Sequence, residues 1–175
     1  MENKLQRVWI AFGSNMNNPL EQLKTARDNL RSCGLIEEKA SNVYQTAAWG
    51  YTEQPDFFNA VVRYKTDLRV EKILEICQLL EAKQGRERPF KNAPRTIDLD
   101  ILLFGNNAEI SINSADLIIP HKYIKERNFV IVPLMEIDSE ISINGEEISI
   151  IAKRLEMTGI MQVNTDNNWK KILTE

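Results

Sequence analysis

The chain has 175 residues, enough for one compact domain with a substantial core and barely enough for two. Its hydrophobic and charged fractions, 43% and 27%, are those of an ordinary globular protein, and its formal net charge is −3. This balance argues against a nucleic-acid partner and against a polybasic membrane anchor. No apolar run could span a bilayer and the first residues lack a signal-peptide pattern, so we expect a cytoplasmic protein with no membrane partner. Cys33 and Cys77 show no CxxC spacing, and we expect both to be buried as small apolar residues.

The first part of the chain alternates strand and helix patterns. Residues 7–12 are an apolar run ended by Gly13-Ser14-Asn15, which predicts a strand followed by a turn. Asn18 and Pro19 then favour the start of a helix, with Asn18 as N-cap, and Gly34 ends it. Two further strands and a helix capped by Asp67 are predicted over residues 40–46, 57–65 and 67–84.

A fourth strand is predicted over residues 96–104, closed by Gly105. The order βαββαβ predicts an α+β fold: a ferredoxin-like antiparallel sheet with both helices on one face and the other face free for ligands. Residues 129–132 form an apolar run that closes at Pro133. Beyond about residue 137 the pattern indicates a peripheral C-terminal extension, a hairpin over 141–148 and a helix to about 157. We expect one domain over residues 1–175, with its core at about 7–137.

Two aspartates stand inside the fourth predicted strand, although Asp is depleted in strands and rarely buried without a partner. Because side chains alternate along a strand, Asp98 and Asp100 share one face. The other face is shared by Ile97, Leu99, Ile101 and Leu103. A divalent cation would relieve the repulsion, and hard oxygen ligands on a rigid strand suit Mg²⁺. A solvated edge strand is the alternative interpretation of so short a pattern.

The segment just before this strand carries an excess of positive charge. Residues 83–95 hold five Lys or Arg side chains and one acid, Glu87, in a chain that is acidic overall. Arginine donates bidentate hydrogen bonds to phosphate oxygens, so a basic loop beside an Asp pair predicts a polyphosphate site. A charged solubilising loop is the alternative. The sequence contains neither a P-loop nor a dinucleotide-binding glycine motif.

His121, the one histidine of the chain, precedes Arg127 in a second cationic segment. A lone histidine is more often structural than catalytic. Its position near a second arginine nevertheless favours contact with the same phosphates, and we expect that role rather than general-base catalysis.

Two aromatic positions indicate a flat ligand. Phe57 and Asn59 alternate on the third predicted strand and so share a face, which pairs a stacking ring with an amide donor and acceptor. Phe129 is the candidate for the opposite side of the ligand, with core packing as the alternative for both rings. Glu81 falls where the helical stripe predicts an apolar residue, so it bonds a ligand or an arginine, or the stripe ends in solvent.

Five segments in this order carry a resemblance to a known family: GSN after the first strand, QPDFFNAVV, EAKQGRER, PRTIDLDILLFG and IPHKYIKERNFVIVPLMEI. From the first strand to about Ile137 the chain resembles the 6-hydroxymethyl-7,8-dihydropterin pyrophosphokinases of folate synthesis. The combination is much more specific than any one motif. It implies an ATP-dependent enzyme that transfers the β,γ-pyrophosphoryl group of ATP to the hydroxymethyl oxygen of the pterin and releases AMP.

The resemblance also implies roles for individual residues. Asp98 and Asp100 would ligate two Mg²⁺ ions that bridge the triphosphate. Cations that contact phosphate or stabilise the moving charge would be Arg86, Arg95, His121 and Arg127. Further contacts to ATP would come from Gln78, Glu81, Arg88, Lys91 and Ile101. The pterin would be held by Thr46, Ala47, Trp49, Phe57, Asn59, Phe129 and Asp98.

One departure from the family pattern is Asn92-Ala93, which stands where the family commonly has Trp-Gly and predicts a lid that closes differently or more weakly over ATP. The expected partners are two small molecules, ATP and the pterin, and we expect a monomer. Two alternatives stay open: another Mg²⁺-dependent nucleotidyl or phosphoryl transferase on the same fold, and a degenerate non-catalytic relative. An RNA-binding domain of ferredoxin type is disfavoured, because the chain is acidic and lacks an aromatic RNP pattern.

Overall fold

The computed structural model describes residues 4–48, 50–87, 89–165 and 169. In chain order, the strands found in those ranges are β1 (Gln6–Ser14), β2 (Ile36–Ala40), β3 (Tyr44–Thr46), β4 (Phe57–Thr66), β5 (Asp98–Phe104), β6 (Ile112–Asn113), β7 (Ile118–Ile119), β8 (Ser142–Ile143), β9 (Glu146–Glu147) and β10 (Ile160–Gln162). The α-helices there are α1 (Pro19–Ser32), α2 (Val70–Lys83), α3 (Asn128–Ile137) and α4 (Ile148–Arg154).

The fold is a mixed α/β arrangement built on one antiparallel sheet. Its strands lie in the order β10-β3-β4-β1-β5, and β2 pairs with β4 beyond the end of β3. The central strand β1 pairs with β4 on one side and β5 on the other. This places the start of β5 beside the end of β1, where the predicted ligand residues lie. Two short hairpins, β6-β7 and β8-β9, are separate from this sheet.

The first face of the sheet is covered by the two predicted helices, α1 and α2. Alternate β1 residues Val8, Ile10 and Phe12 point into this core, where they meet apolar stripes of both helices. The stripe of α1 is formed by Leu23, Ala26 and Leu30. The stripe of α2 is formed by Val70, Ile73, Ile76, Cys77 and Leu80.

The second face is not left free for loops and ligands as predicted, because α3 packs on it and α4 packs on α3. The apolar run that begins at Phe129 does not close at Pro133 but continues as a helix through it to Ile137. Its buried residues meet Trp9, Val61 and the two leucines 102 and 103 from the sheet. The part of this face that stays open is a cleft where β1 ends and β5 begins. In the described ranges, no helix combines the length and apolar character that crossing a membrane would require.

A β-bulge corrects the predicted faces of the fourth strand. The pairing of β1 with β5 shifts register between Trp9, opposite Leu103, and Ile10, opposite Ile101, which leaves Leu102 as the extra residue. Leu99 and Ile101 face α1 and α2 as predicted, but Leu103 lies in the core of the second face. The strand also begins at Asp98 rather than at residue 96.

Other boundaries differ from the predictions for local reasons. The second predicted strand, residues 40–46, includes β3 but only the last residue of β2, which begins earlier, at Ile36. The two strands are separated at Ser41, whose hydroxyl accepts a hydrogen bond from Val61 N at 2.9 Å. Helix α2 begins at Val70 with Arg69 as N-cap, so Asp67 is not its cap. Asn18 is the N-cap residue of α1 but makes no side-chain capping bond. Cys77 is buried as expected, whereas Cys33 is exposed at the end of α1.

The C-terminal segment returns to the sheet edge that β3 would otherwise expose. Strand β10 pairs with β3, and Val163 N donates to Val43 O at 2.8 Å. Trp169 is 0% exposed in the first core, and its indole N–H donates to Ser41 O at 2.8 Å. Arg27, which lies in a buried ion pair with Glu37, packs its guanidinium 4.7 Å from the centre of the Trp169 ring and donates to the Trp169 carbonyl.

We expect Trp169→Ala to lower the free energy of unfolding by about 3–5 kcal/mol, the range found for removal of a large buried aromatic side chain. Equilibrium denaturation in urea measures this. Met161→Ala is the matched control from the same segment, because that side chain is 64% exposed, and its effect should stay within about 0.5 kcal/mol. Equal effects of the two substitutions would show that Trp169 does not anchor the segment.

Candidate active site

Asp98 and Asp100 form the floor of a cleft on the second face of the sheet. Their partners in the neighbouring strand β1 are Gly13 and Ala11, the smallest residues of that strand. A Cβ at Gly13 would contact Asn59 Oδ1 at 3.5 Å and Asp98 Cβ at 3.8 Å. A larger side chain at Gly13 would therefore fill the space above the carboxylates, and the small residues of β1 keep the floor open.

The carboxylate of Asp98 is held by two arginines from the basic loop. Arg86 Nη1 donates to Oδ1 and Arg95 Nη1 to Oδ2, each at 2.6 Å. Burial by itself raises the pKa of Asp98, but the two guanidiniums more than offset it, so its pKa lies below the usual value. Asp98 is therefore an ionised carboxylate whose charge is balanced within the protein.

Glu81 lies behind this pair and is buried. It forms an ion pair with Arg86 and accepts a hydrogen bond from Leu99 N at 2.9 Å, so it links α2 to the start of β5. The sequence left open whether this residue bonds an arginine or a ligand. The structure shows the arginine contact, and the contact with ATP stays a prediction.

Asp100 has weaker compensation. Its Oδ2 lies 3.5 Å from Arg127 Nη1 and 3.7 Å from His121 Nε2. Burial and the nearby charge of Asp98 raise the pKa of Asp100 to about 7, although Arg127 opposes the shift. The pKa of Asp98 is therefore lowered and that of Asp100 is raised. Among the described residues, the nearest arginine nitrogen lies farther from Asp100 than the two that bond Asp98.

His121 is placed beside Asp100 by two backbone contacts. Its backbone N–H donates to Leu102 O at 2.9 Å, and Tyr123 N donates to its Nδ1 at 3.2 Å. The ring therefore carries its proton on Nε2, the atom that faces Asp100. Burial and then the charge of Arg127 lower the pKa of His121 to about 4, so the imidazole is neutral at pH 7.

The cleft above the floor brings together the aromatic residues predicted from the sequence. Phe57 comes from β4, and Phe129 from the first turn of α3. Asn59 is buried in the same wall, and its amide donates to Thr46 Oγ1 at 2.9 Å. The predicted residues that line the cleft are Thr46, Ala47, Phe57, Asn59, Arg95, Asp98, Asp100, Arg127 and Phe129.

A second groove begins at the other side of Asp100. Of the residues predicted to bind ATP, it is lined by Ile101 and His121, and it is completed by Leu74, Leu99, Lys122 and residues 115–118. Leu74 and the 115–118 turn had no recognisable signal in the sequence, since they look like ordinary core and loop residues. Asp100 thus stands at the junction of the two cavities.

The remaining predicted residues lie elsewhere. Lys91 lines a separate cavity with Arg86, Arg95 and Asn92, next to the floor. Gln78 is exposed on α2 and lines none of these three cavities. Arg88 and Trp49 lie outside the described residues.

Asn15 and Gln54 connect the loops on either side of the cleft. Asn15 Oδ1 accepts from Arg95 N at 2.8 Å, and its amide donates to Gln54 Oε1 at 2.8 Å and to Pro55 O at 2.9 Å. Gln54 in turn donates to Asn92 O at 2.9 Å. The sequence pattern around Asn15 indicates only a turn and gives no signal of this role.

Asn92, the departure from the family pattern, has a defined place between these loops. Its φ of 61° is left-handed, a conformation that Asn tolerates better than Trp. A Cβ at Gly50, whose φ is +86°, would collide with the Asn92 side-chain amide. Asn92 therefore fills space between the two loops and contributes to the wall of the cleft.

Among the residues that the structure describes, no three His, Cys, Asp or Glu side chains converge on a possible metal site. Asp98 and Asp100 are two carboxylates on one face, with Asp100 short of positive charge. Mg²⁺ is commonly held by one or two carboxylates together with substrate phosphates. The donor set therefore fits Mg²⁺ bound with a phosphate ligand and does not fit a metal site made of protein groups alone.

We expect Asp98→Asn and Asp100→Asn to shift stability in opposite directions at pH 8. The pKa of Asp100 is raised on folding from 3.8 to about 7, so its contribution to stability is present below pH 4 and is lost as the pH rises through 7. Asp100→Asn should therefore gain free energy of unfolding over the wild type between pH 5 and pH 8, on the order of 2 kcal/mol.

Asp98 has the reverse sign, because its folded pKa is lowered and its contribution is present above pH 4 and lost at more acidic pH. Asp98→Asn should be destabilised at pH 8 and approach the wild type as the pH falls below 4. Urea denaturation across this range measures both variants. Parallel pH profiles for the wild type and Asp100→Asn would contradict the assignment.

Comparison with known proteins places this chain in a family. The family of 7,8-dihydro-6-hydroxymethylpterin-pyrophosphokinase (HPPK) matches residues 9–139. A relative named 2-amino-4-hydroxy-6-hydroxymethyldihydropteridine pyrophosphokinase, from Methylorubrum extorquens, is 35% identical over 160 residues, 91% of this chain and 99% of its own. A relative of the same name from Haemophilus influenzae is 40% identical over 144 residues, 81% of this chain and 87% of its own.

Solved structures share the fold. A crystal structure of Plasmodium falciparum HPPK-DHPS superposes with a TM-score of 0.68 at 17% identity, over 87% of this chain and 44% of the other. An HPPK-DHPS crystal structure in complex with substrates has a TM-score of 0.63 at 16% identity, over 85% and 43%. The present chain thus spans less than half of these longer chains. By the extent of its sequence match, this chain belongs to the 7,8-dihydro-6-hydroxymethylpterin-pyrophosphokinase family of ATP-dependent enzymes.

Proposed function

We propose that this chain transfers the β,γ-pyrophosphoryl group of ATP to the hydroxymethyl oxygen of 6-hydroxymethyl-7,8-dihydropterin and releases AMP. One observation supports this reaction beyond family membership: the aromatic cleft and the second groove meet at Asp100, with cations on either side. A donor bound in one cavity and an acceptor bound in the other would bring their reacting groups together over the two aspartates.

The aromatic cleft suits the pterin. A pterin is flat and polar at its edge, so it calls for rings that stack on its faces and for an amide that pairs with its edge. Phe57 and Phe129 supply the rings. The Asn59 amide is held in place by Thr46, which leaves its carbonyl oxygen as an acceptor for a ring N–H of the substrate.

The second groove suits the nucleotide. It combines apolar walls from Leu74 and Ile101 with the His121 ring at its inner end. Arg127 lies at the junction, and Arg86 and Arg95 lie across the floor. Planar guanidinium groups bind phosphate oxygens with two parallel hydrogen bonds, so these three arginines can hold a triphosphate in a single orientation.

Asp98 and Asp100 would hold the two Mg²⁺ ions. When bound, the ions neutralise phosphate charge and so lower the repulsion between the phosphates and the attacking oxygen. Arg86 and Arg95 each donate to one oxygen of Asp98 in this structure, so we infer that one guanidinium moves from Asp98 to a phosphate oxygen on loading. Arg86 lies in the loop of residues 85–94, which contains one Gly and two Pro, and Arg95 directly follows it.

The transfer needs no protein nucleophile. The hydroxymethyl oxygen forms a bond to the β-phosphorus, and the bond from that phosphorus to the α,β-bridging oxygen breaks. AMP leaves with that oxygen, and the hydroxyl releases its proton to solvent. Negative charge grows on the AMP side as the bond breaks. Arg127 and Arg95 can offset it, and the neutral His121 can donate from Nε2 to a phosphate oxygen.

The fold type, the extent of the domain, the cellular location and the oligomeric state are also proposals. We infer that the sheet with α1 and α2 is a ferredoxin-like unit, because β1-α1-β2/β3-β4-α2-β5 follows that connectivity and the central order β4-β1-β5 agrees with it. Residues 141–175 are then an extension of one catalytic domain. Action in the cytoplasm and as a monomer stay predictions of the sequence analysis.

The decisive measurement is chromatographic product analysis after incubation with ATP, Mg²⁺ and 6-hydroxymethyl-7,8-dihydropterin. We expect AMP and the pterin diphosphate in equal amounts, and no AMP without the pterin. ADP in place of AMP would instead support another phosphoryl transferase on this fold. Pterin-independent AMP, or no product at all, would contradict the proposed reaction, and the latter would support a non-catalytic relative.

We expect Asp98→Ala and Asp100→Ala each to lower kcat/KM by at least about 100-fold at limiting Mg²⁺, a loss of about 3 kcal/mol in transition-state stabilisation. Asp67→Ala is the matched control, because that carboxylate is exposed and distant from the cleft lining. Near-normal turnover of either site variant at limiting Mg²⁺ would refute its role as a metal ligand.

A further inference from the structure

The segment from Leu155 to Gln162 lies beside the mouth of the aromatic cleft. Its second half is β10, which pairs with β3 so that Ile160 stands opposite Thr46 and Gln162 opposite Tyr44. Thr46 is the residue whose hydroxyl accepts the hydrogen bond from Asn59. The segment therefore extends the sheet on the side of the cleft that carries the Phe57 and Asn59 wall.

The first half of the same segment is tied to the opposite wall. The side-chain amide of Asn128 donates to Glu156 O at 2.9 Å and to Thr158 O at 3.4 Å. Asn128 is the first residue of α3 and stands between Arg127 and Phe129, both of which line the cleft. One side chain thus connects the start of α3 to the segment that continues into β10.

The space between these two attachments is a groove that opens next to the cleft. It shares four lining residues with the cleft: Thr46, Ala47, Arg127 and Phe129. Its other lining residues include Asn128, Leu155, Glu156, Thr158 and Gly159. The two walls of the cleft are therefore bridged at this point by residues 155–159.

The far end of the segment is fixed as well. Val163 N donates to Val43 O at 2.8 Å, and Trp169 is buried against Arg27 with its indole bonded to Ser41 O. Because β10 is held by backbone pairing and by this anchor, a bond from Asn128 to residues 156 and 158 transmits the position of β3 to α3. A segment that was loose at either end could not do so.

We propose that Asn128 is a positioning residue that sets the spacing between the Phe57–Asn59 wall and the Phe129 wall, and thereby the affinity for the flat substrate. The proposal rests on the proposed function, since it assigns the cleft to the pterin. The chemistry suits Asn in particular, because its NH₂ group has two donors for two carbonyl acceptors. Asn128 touches neither reacting group in this arrangement and acts through Phe129 and Thr46.

The test compares ligand affinities of the wild type, Asn128→Ala and Asn128→Asp by isothermal titration calorimetry. Loss of hydrogen bonds of this kind should weaken binding of 6-hydroxymethylpterin about 3- to 10-fold in Asn128→Ala, with the affinity for a non-hydrolysable ATP analogue and Mg²⁺ unchanged within about twofold. Asn128→Asp keeps the side-chain size and suits the first turn of a helix, so it should fold at least as well, yet it lacks both donors and should weaken pterin binding as much or more.

Met161→Ala is the control from β10, because that side chain is 64% exposed and the substitution leaves the backbone pairing intact. It should leave both affinities unchanged. If the wild type binds the pterin and both Asn128 variants bind it equally well, the positioning role is wrong while the proposed function stands. Equal weakening of pterin and nucleotide binding would indicate general destabilisation and also overturn it. A wild type that does not bind the pterin overturns the proposed function and this inference together.

Discussion

The charge balance of two neighbouring carboxylates is the constraint on which the site depends. Asp98 and Asp100 are two residues apart on β5, so the geometry of a strand places both on the floor of the same cleft. Arg86 and Arg95 neutralise Asp98, whereas Asp100 has only longer contacts to Arg127 and His121, and its pKa rises to about 7. The negative charge is thus only partly compensated at Asp100, where the aromatic cleft and the second groove meet, and a bound cation with a polyphosphate would complete that balance.

Much of the surrounding structure supports this floor. Glu81 crosses from α2 to hold Arg86 and the Leu99 amide, so the packing of α2 on the sheet and the orientation of one arginine are linked. Asn15, from the turn after β1, holds the backbone of Arg95 and the loop that contains Gln54. Both loops of the cleft therefore depend on residues that sequence patterns assign to an ordinary helix and an ordinary turn. Fold and site are stabilised by the same contacts.

Local periodicity explains which parts of the fold were predictable. β1, β4, α1 and α2 follow their apolar spacing closely, because each buries one regular face in the first core. The bulge at Leu102 could not be predicted, since Leu102 and Leu103 are both apolar and either register satisfies the pattern. The break at Ser41 depends on its bonds with Val61, and the helix through Pro133 is stabilised by packing on the second face of the sheet. These features depend on contacts between residues far apart in the chain.

The sequence by itself determined the charged and aromatic residues of the site, their order along the chain and hence the family. Short motifs such as the Asp pair carry their chemistry locally, because a strand places alternate side chains on one face. Only the tertiary structure decided which arginine neutralises which aspartate, how far the two pKa values separate, and that Asn128 joins the C-terminal segment to α3. The physical reason is that charge compensation and cleft width are set by distances between groups that the chain brings together only on folding.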